Sequence, residues 1–136
     1  FNAPFSVTHE ATRETGDFVI PAFNPLNLVN APSGATHFRL IHSLSVVSDF
    51  EYNATTNNYD PMDAELNEVN DIQYSGYLDL FAPVPLTTIT ATLPNGAIPT
   101  ANTTVLQCIG IEFYQQVGGN YYLFASGNCL KVEDAF

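Results

Sequence analysis

Few residues in this chain have both the type and the spacing for chemistry. Cys108 and Cys129 close the stretch CIGIEFYQQVGGNYYLFASGNC. Two thiols can form a disulfide, act as a redox pair or help hold a metal. A tetrahedral metal set needs further ligands, and no His or third Cys is spaced to complete one. Carboxylates crowd into DPMDAELNEVND. Calcium takes several oxygen ligands, which makes Asp60, Asp63 and Glu65 the calcium candidates. The run lacks the glycine turn of an EF-hand loop, so a solvated acidic face without metal is expected there. His37 and His42 lie five apart on one predicted strand and point to opposite faces, and His9 stands alone. No nucleophile elbow, zinc-protease helix, phosphate loop or dinucleotide fingerprint occurs. There is no Trp to stack a sugar beside a hydrolytic carboxylate pair. The expectation is a protein that is not an enzyme and has no cofactor.

The elements around the cysteines predict how they meet. Gly118-Gly119 is a two-residue loop that accepts positive φ, which favours a tight hairpin. If Val117 faces Asn120, Cys108 falls directly opposite Cys129, at a non-hydrogen-bonded position where side chains approach most closely. The expectation is a cross-strand disulfide, and with it an oxidising location. The alternative is two reduced thiols. The same count puts Ile109, Ile111, Phe113, Val117, Tyr122, Phe124, Leu130 and Val132 on the core face. The cysteines then share the outer face with Glu112, Tyr114, Gln116 and Lys131. A bulge at Ser126-Gly127-Asn128 would shift this register.

At the other end, Phe1, Ala3, Phe5 and Val7 alternate with Asn2, Pro4 and Ser6, a period-2 strand with bulky groups on one side. Pro4 confines it to a sheet edge. HEATRETGD follows as a charged stretch, so residues 1–16 read as an amphipathic strand on a polar tether ahead of a domain at 17–136. The strand either folds back as the domain's own first strand or pairs with a neighbouring subunit's sheet edge. The second is the expectation carried forward, with Phe1, Ala3, Phe5 and Val7 as the interface.

Between these ends, apolar segments rich in Val, Ile, Thr, Tyr and Phe lie near 17–23, 25–30, 37–47, 49–53, 71–80, 84–93, 105–117, 120–126 and 129–133. APSG, TTNNYDP, LPNG and VGGN separate them as turns. One short helical turn is expected near 61–69, with Asp60 as cap and Pro61 at the first helical position. The fold expected is all-β: a single immunoglobulin-like β-sandwich of seven to nine strands with that one helical turn.

The chain has 14 acidic residues against three basic ones, a net charge of −11, which disfavours nucleic acid and anionic membrane surfaces as partners. No apolar run is long enough to span a membrane, so no membrane insertion is expected. Only 12% of residues are charged, about half the usual share, so solubility falls to Thr and Asn and suggests an exposed β-protein. A start at Phe1 without Met reads as a mature chain after removal of a secretion signal.

The stretches VLQCIGIEFYQQVGGNYYLFASGNCLKV and APSGATHFRLIHSLSVVSDFEY resemble small secreted or surface β-proteins of Bacteroidota. That resemblance implies an extracellular bacterial setting and carries no catalytic residues. The N-terminal strand separately resembles, by analogy, the donated strand of pilus subunits. Two functions follow as expectations. The first is a structural subunit of an extracellular or cell-surface assembly, a filament or surface layer, built from copies of itself by N-terminal strand addition. The alternative is a binding or adhesion module that contacts glycans or calcium-bridged ligands through Tyr52, Tyr59, Tyr74 and Tyr77.

Overall fold

A computed structural model describes all 136 residues. Strand β1 (Ser6–His9) and β2 (Thr15–Ile20) form a hairpin, and β2 also pairs with β8 (Thr87–Thr92), giving one three-stranded antiparallel sheet. The larger sheet is built on β3 (His37–Ser48) and β9 (Thr103–Val117), which pair in continuous register from His37↔Tyr114 to Ser48↔Thr103. Strands β6 (Asn70–Tyr74) and β7 (Leu78–Asp79) flank β3, while β10 (Asn120–Leu123) and β11 (Cys129–Ala135) flank β9. Strands β4 (Phe50–Asn53) and β5 (Asn58–Pro61) form a separate hairpin beyond the end of β3. The order β1-β2-β8 against β10/β11-β9-β3-β6 is the layout of an immunoglobulin-like sandwich, with β6 added beside the third strand.

Period-2 alternation explains the layers. On β3, Phe38, Leu40, Leu44 and Val46 turn inward, and on β9 Val105, Ile109, Ile111 and Phe113 meet them. Phe18 and Ile20 of β2 and Ile89 and Ala91 of β8 close the core from the smaller sheet. One polar layer interrupts it. His42 and Gln107, both fully buried, separate a cluster around Phe38 and Ile109 from a smaller one around Leu44 and Val105. His42 Nδ1 lies 2.8 Å from the Ile89 carbonyl oxygen, and its Nε2 lies 2.9 Å from Gln107 Nε2. Gln107 Nε2 also reaches the carbonyl oxygens of Thr8 and Asp17. The pair therefore ties β3 and β9 to all three strands of the smaller sheet.

Several expectations are corrected. The chain has eleven strands, because 71–80 divides into β6 and β7 and 50–61 makes its own hairpin. Residues 25–30, read as a strand, instead begin with a helical turn α1 (Pro25–Leu28). Asn24 caps it by accepting from Leu26 N–H, and Pro25 takes the first position. The same cap-then-proline signal at Asp60-Pro61 yields no helix, because both residues are taken up in β5 and 62–68 follows as turns.

The N-terminal segment belongs to its own sandwich. Ser6–His9 pairs with Val19–Gly16 of β2, so residues 1–16 are not a free tether. Ala3 is buried in the core, the Phe5 ring packs edge-on against Phe18 at 5.6 Å, and Phe1 packs edge-on against Phe23 at 5.7 Å. Val7 packs against the same cluster. The four expected interface residues thus contact their own chain. Arg13, at φ 64°, closes the hairpin and donates to the main-chain oxygens of Thr100 and Thr103.

The cysteine pairing is also corrected. The hairpin register holds from Asn120↔Val117 to Leu123↔Tyr114, then shifts by three residues, so that Cys129 faces Ile111 and Cys108 faces Val132. Asn128 holds the irregularity: its Oδ1 accepts from Phe113 N–H at 2.9 Å, and its Nδ2 donates to the Phe124 carbonyl at 2.7 Å. An odd shift exchanges the faces of a strand. Cys129 and Lys131 therefore turn towards the core side, Leu130 and Val132 turn outward, and the two cysteines are free thiols on opposite faces of the sheet.

Candidate functional site

The outer face of the larger sheet is the candidate site, and alternation determines what stands on it. Two cross-strand rows run over four strands: Tyr74, Ile41, Gly110 and Leu130 in one, and Ile72, Ser43, Cys108 and Val132 in the next. The middle strands contribute mostly small side chains and the flanking strands large ones. The result is a shallow groove of about 340 Å³ with Ile72 and Tyr74 on one wall and Leu130 on the other. Leu130 and Val132 are each more than half exposed. Gly110, in the first of these rows, has no room for a side chain, because a Cβ there would lie 2.7 Å from the Cys129 carbonyl oxygen and 2.8 Å from Leu130 Cδ1.

Neither row contains a charge. At their end Arg39 and Glu112 neutralise one another at 3.0 Å, inside a cluster of tyrosines. The Arg39 guanidinium carbon lies over the Tyr74 ring, 3.8 Å from its centroid. Tyr114 donates from its hydroxyl to Glu112 Oε2 at 2.7 Å. Burial, reinforced by that hydrogen bond, pushes the Tyr114 phenol up to about 12. Burial works against the Arg39 charge, but the Glu112 hydrogen bond and the surrounding phenols outweigh it, and its pKa is raised. Tyr77 stacks parallel on Tyr121 at 3.8 Å, and His37 meets Tyr121 edge-on. This arrangement has no nucleophile paired with a base.

A second, smaller cleft of about 270 Å³ opens under the N-terminal segment, lined by Phe1, Phe5, Phe18, Leu40, Ile109, Ile111 and Cys129, with Lys131 at its edge. Lys131 is paired with Glu133.

The four tyrosines expected to act together form two separate pairs. Tyr52 and Tyr59 meet on the β4–β5 hairpin, while Tyr74 and Tyr77 belong to the Arg39 cluster. Asp60, Asp63 and Glu65 are not gathered. Asp60 accepts from Asn53 and Thr56, Asp63 accepts from Thr100, and no group of three His, Cys, Asp or Glu side chains is placed to hold a metal. Sequence reading missed the Arg39–Glu112–Tyr114 cluster. Its signal was present in parity: Arg39 on one long strand and Glu112 and Tyr114 on the other all point away from the core. No protein-family model, curated protein or solved structure matches the chain.

Proposed function

We propose that the protein is a structural subunit of a homopolymeric assembly in an extracellular or cell-surface setting, its copies meeting through the outer face of the larger sheet. The observation that carries this reading is the face itself, which is apolar, uncovered and without net charge on a chain of net charge −11. Single exposed hydrophobic residues are ordinary, but a contiguous patch is a contact surface by default. Fourteen acids against three bases make copies repel one another over most of their surface. A neutral face is where two copies approach without that penalty. The extracellular setting rests on composition, a surface rich in Thr and Asn with a single lysine, and the free thiols lend it no support. The N-terminal strand, occupied within its own sandwich, is not the joining element.

Sedimentation and native electron microscopy of freshly prepared protein test the reading. Large regular particles are expected from the wild type. Val132→Asp should give monomers with an unchanged circular dichroism spectrum, because that side chain is more than half exposed. A wild-type chain that stays monomeric at all accessible concentrations would sink the proposal.

A further inference from the structure

We infer that the β4–β5 hairpin is the complementary half of the contact, its aromatic face seating in the outer-face groove of the next copy, head to tail. This rests on the assembly reading above and adds the element that supplies the partner surface. In FEYNATTNNYDP the hairpin register pairs Phe50 with Pro61, Glu51 with Asp60, Tyr52 with Tyr59 and Asn53 with Asn58. Opposed residues share a face and faces alternate, so Phe50, Tyr52, Tyr59 and Pro61 form one apolar side. The other side carries the acids and amides, internally bonded through Asn53 and Asp60 at 2.8 Å.

The rest of the chain leaves most of the aromatic side open. Tyr59 is 71% exposed, Tyr52 54% and Phe50 52%. The hairpin pairs with no other strand. An isolated two-stranded hairpin is only marginally stable in water, and this one also sets Glu51 against Asp60, two like charges in direct cross-strand opposition. Such an element is better suited to a bound state than to a free one.

The groove fits this occupant in three respects. Its one charged lining residue, Glu112, is already paired with Arg39, and the hairpin's acids face away from its aromatic side, so docking buries no unpaired charge. The groove is concave, with Ile41 and Ser43 between its walls, whereas the hairpin is a narrow ridge. It also lies out of reach within one molecule: Phe50 is seven residues beyond Ser43 on the groove floor, roughly 24 Å along an extended strand. A ridge and a groove at different places on one molecule make a heterologous contact, which repeats into an open filament or a ring. Exposed tyrosines are the residues expected to anchor it.

The test uses Tyr59→Asp, which disables the ridge, and Ile72→Asp, which disables a groove wall, with circular dichroism to show that both remain folded. Each alone should raise the concentration needed for assembly at least ~30-fold, the effect of losing one anchor residue. Mixed in equal amounts they should form a one-to-one dimer in native mass spectrometry, because each retains the half that the other lacks. Tyr52→Ser repeats the test should Tyr59→Asp fail to fold. Assembly of Tyr59→Asp and Tyr52→Ser at wild-type concentrations would overturn the inference while leaving the assembly reading standing. So would a mixture that stays monomeric, or hairpin variants that lose only retention on immobilised saccharide. A wild-type chain that never assembles would overturn both.

Discussion

Burial holds the proton on His42 to a single pattern. The charged imidazole is penalised inside the core, so its pKa lies below the ordinary value of 6.5. The neutral ring donates from Nδ1 to the Ile89 oxygen and accepts at Nε2 from Gln107. The unfolded chain therefore binds a proton that the folded chain resists. The stability this contributes is complete above about pH 6.5 and is lost as pH falls through that value towards the depressed folded one. The urea midpoint should fall between about pH 7.5 and about pH 5.5, and His42→Gln should be flatter over the same window although less stable throughout, by about 1–3 kcal/mol. A second expectation concerns Gly110. Gly110→Val should destabilise by about 1–3 kcal/mol in chemical denaturation, because the added atoms meet the main chain of β11 and not only a movable side chain. Gly76→Ala, where nothing lies within 4 Å, should change stability by no more than about 0.5 kcal/mol. At this scale the sequence was partly legible. Parity correctly set His37 and His42 on opposite faces, but it could not show that His42 would find Gln107, 65 residues away, and become a link between sheets.

Elements were legible where alternation was long and illegible where a local signal had two outcomes. Strands β3 and β9 were recognisable because 12 and 15 residues of period-2 pattern leave little else to form. The Gly118-Gly119 hairpin was right for its first four pairs. It failed beyond them because Asn128 offers main-chain groups of Phe113 and Phe124 a side-chain partner, which makes the three-residue shift favourable. The N-terminal alternation gave the apolar side of the strand but could not say whose groove it fills. Phe5 over Phe18 and Phe1 over Phe23 answer that within one molecule. Deleting residues 1–5 should therefore lower the monomer's stability by roughly 1.5–3 kcal/mol, since a fully buried Phe is worth roughly 1.5–3 kcal/mol and these two are half-buried. Thermal melting checks this. An arm that served only a neighbour would leave the melting temperature unchanged.

For the whole molecule, charge sets the conditions under which copies meet. With a net charge of −11, repulsion between copies opposes approach at low salt and is screened as the Debye length shrinks from ~30 Å at 0.01 M to ~8 Å at 0.15 M. Assembly measured by light scattering should accordingly increase between those two ionic strengths. A contact held mainly by ion pairs would weaken instead. The fold class was legible at this scale because spacing and composition leave few alternatives to a sandwich. The proposed contact surface was not, because it is made of residues unremarkable one at a time. One wall of the groove comes from β6 and the other from β11, with Ile72 and Leu130 nearly sixty positions apart in the chain. Pairings over such separations form late and slowly compared with local structure. A chain emerging from synthesis has exposed every residue of its tyrosine hairpin long before β11 is available to close the groove. The groove half of the proposed junction thus exists only once the fold is finished. In the proposed assembly, only fully folded subunits would receive a neighbour, and polymer growth would be timed by folding itself.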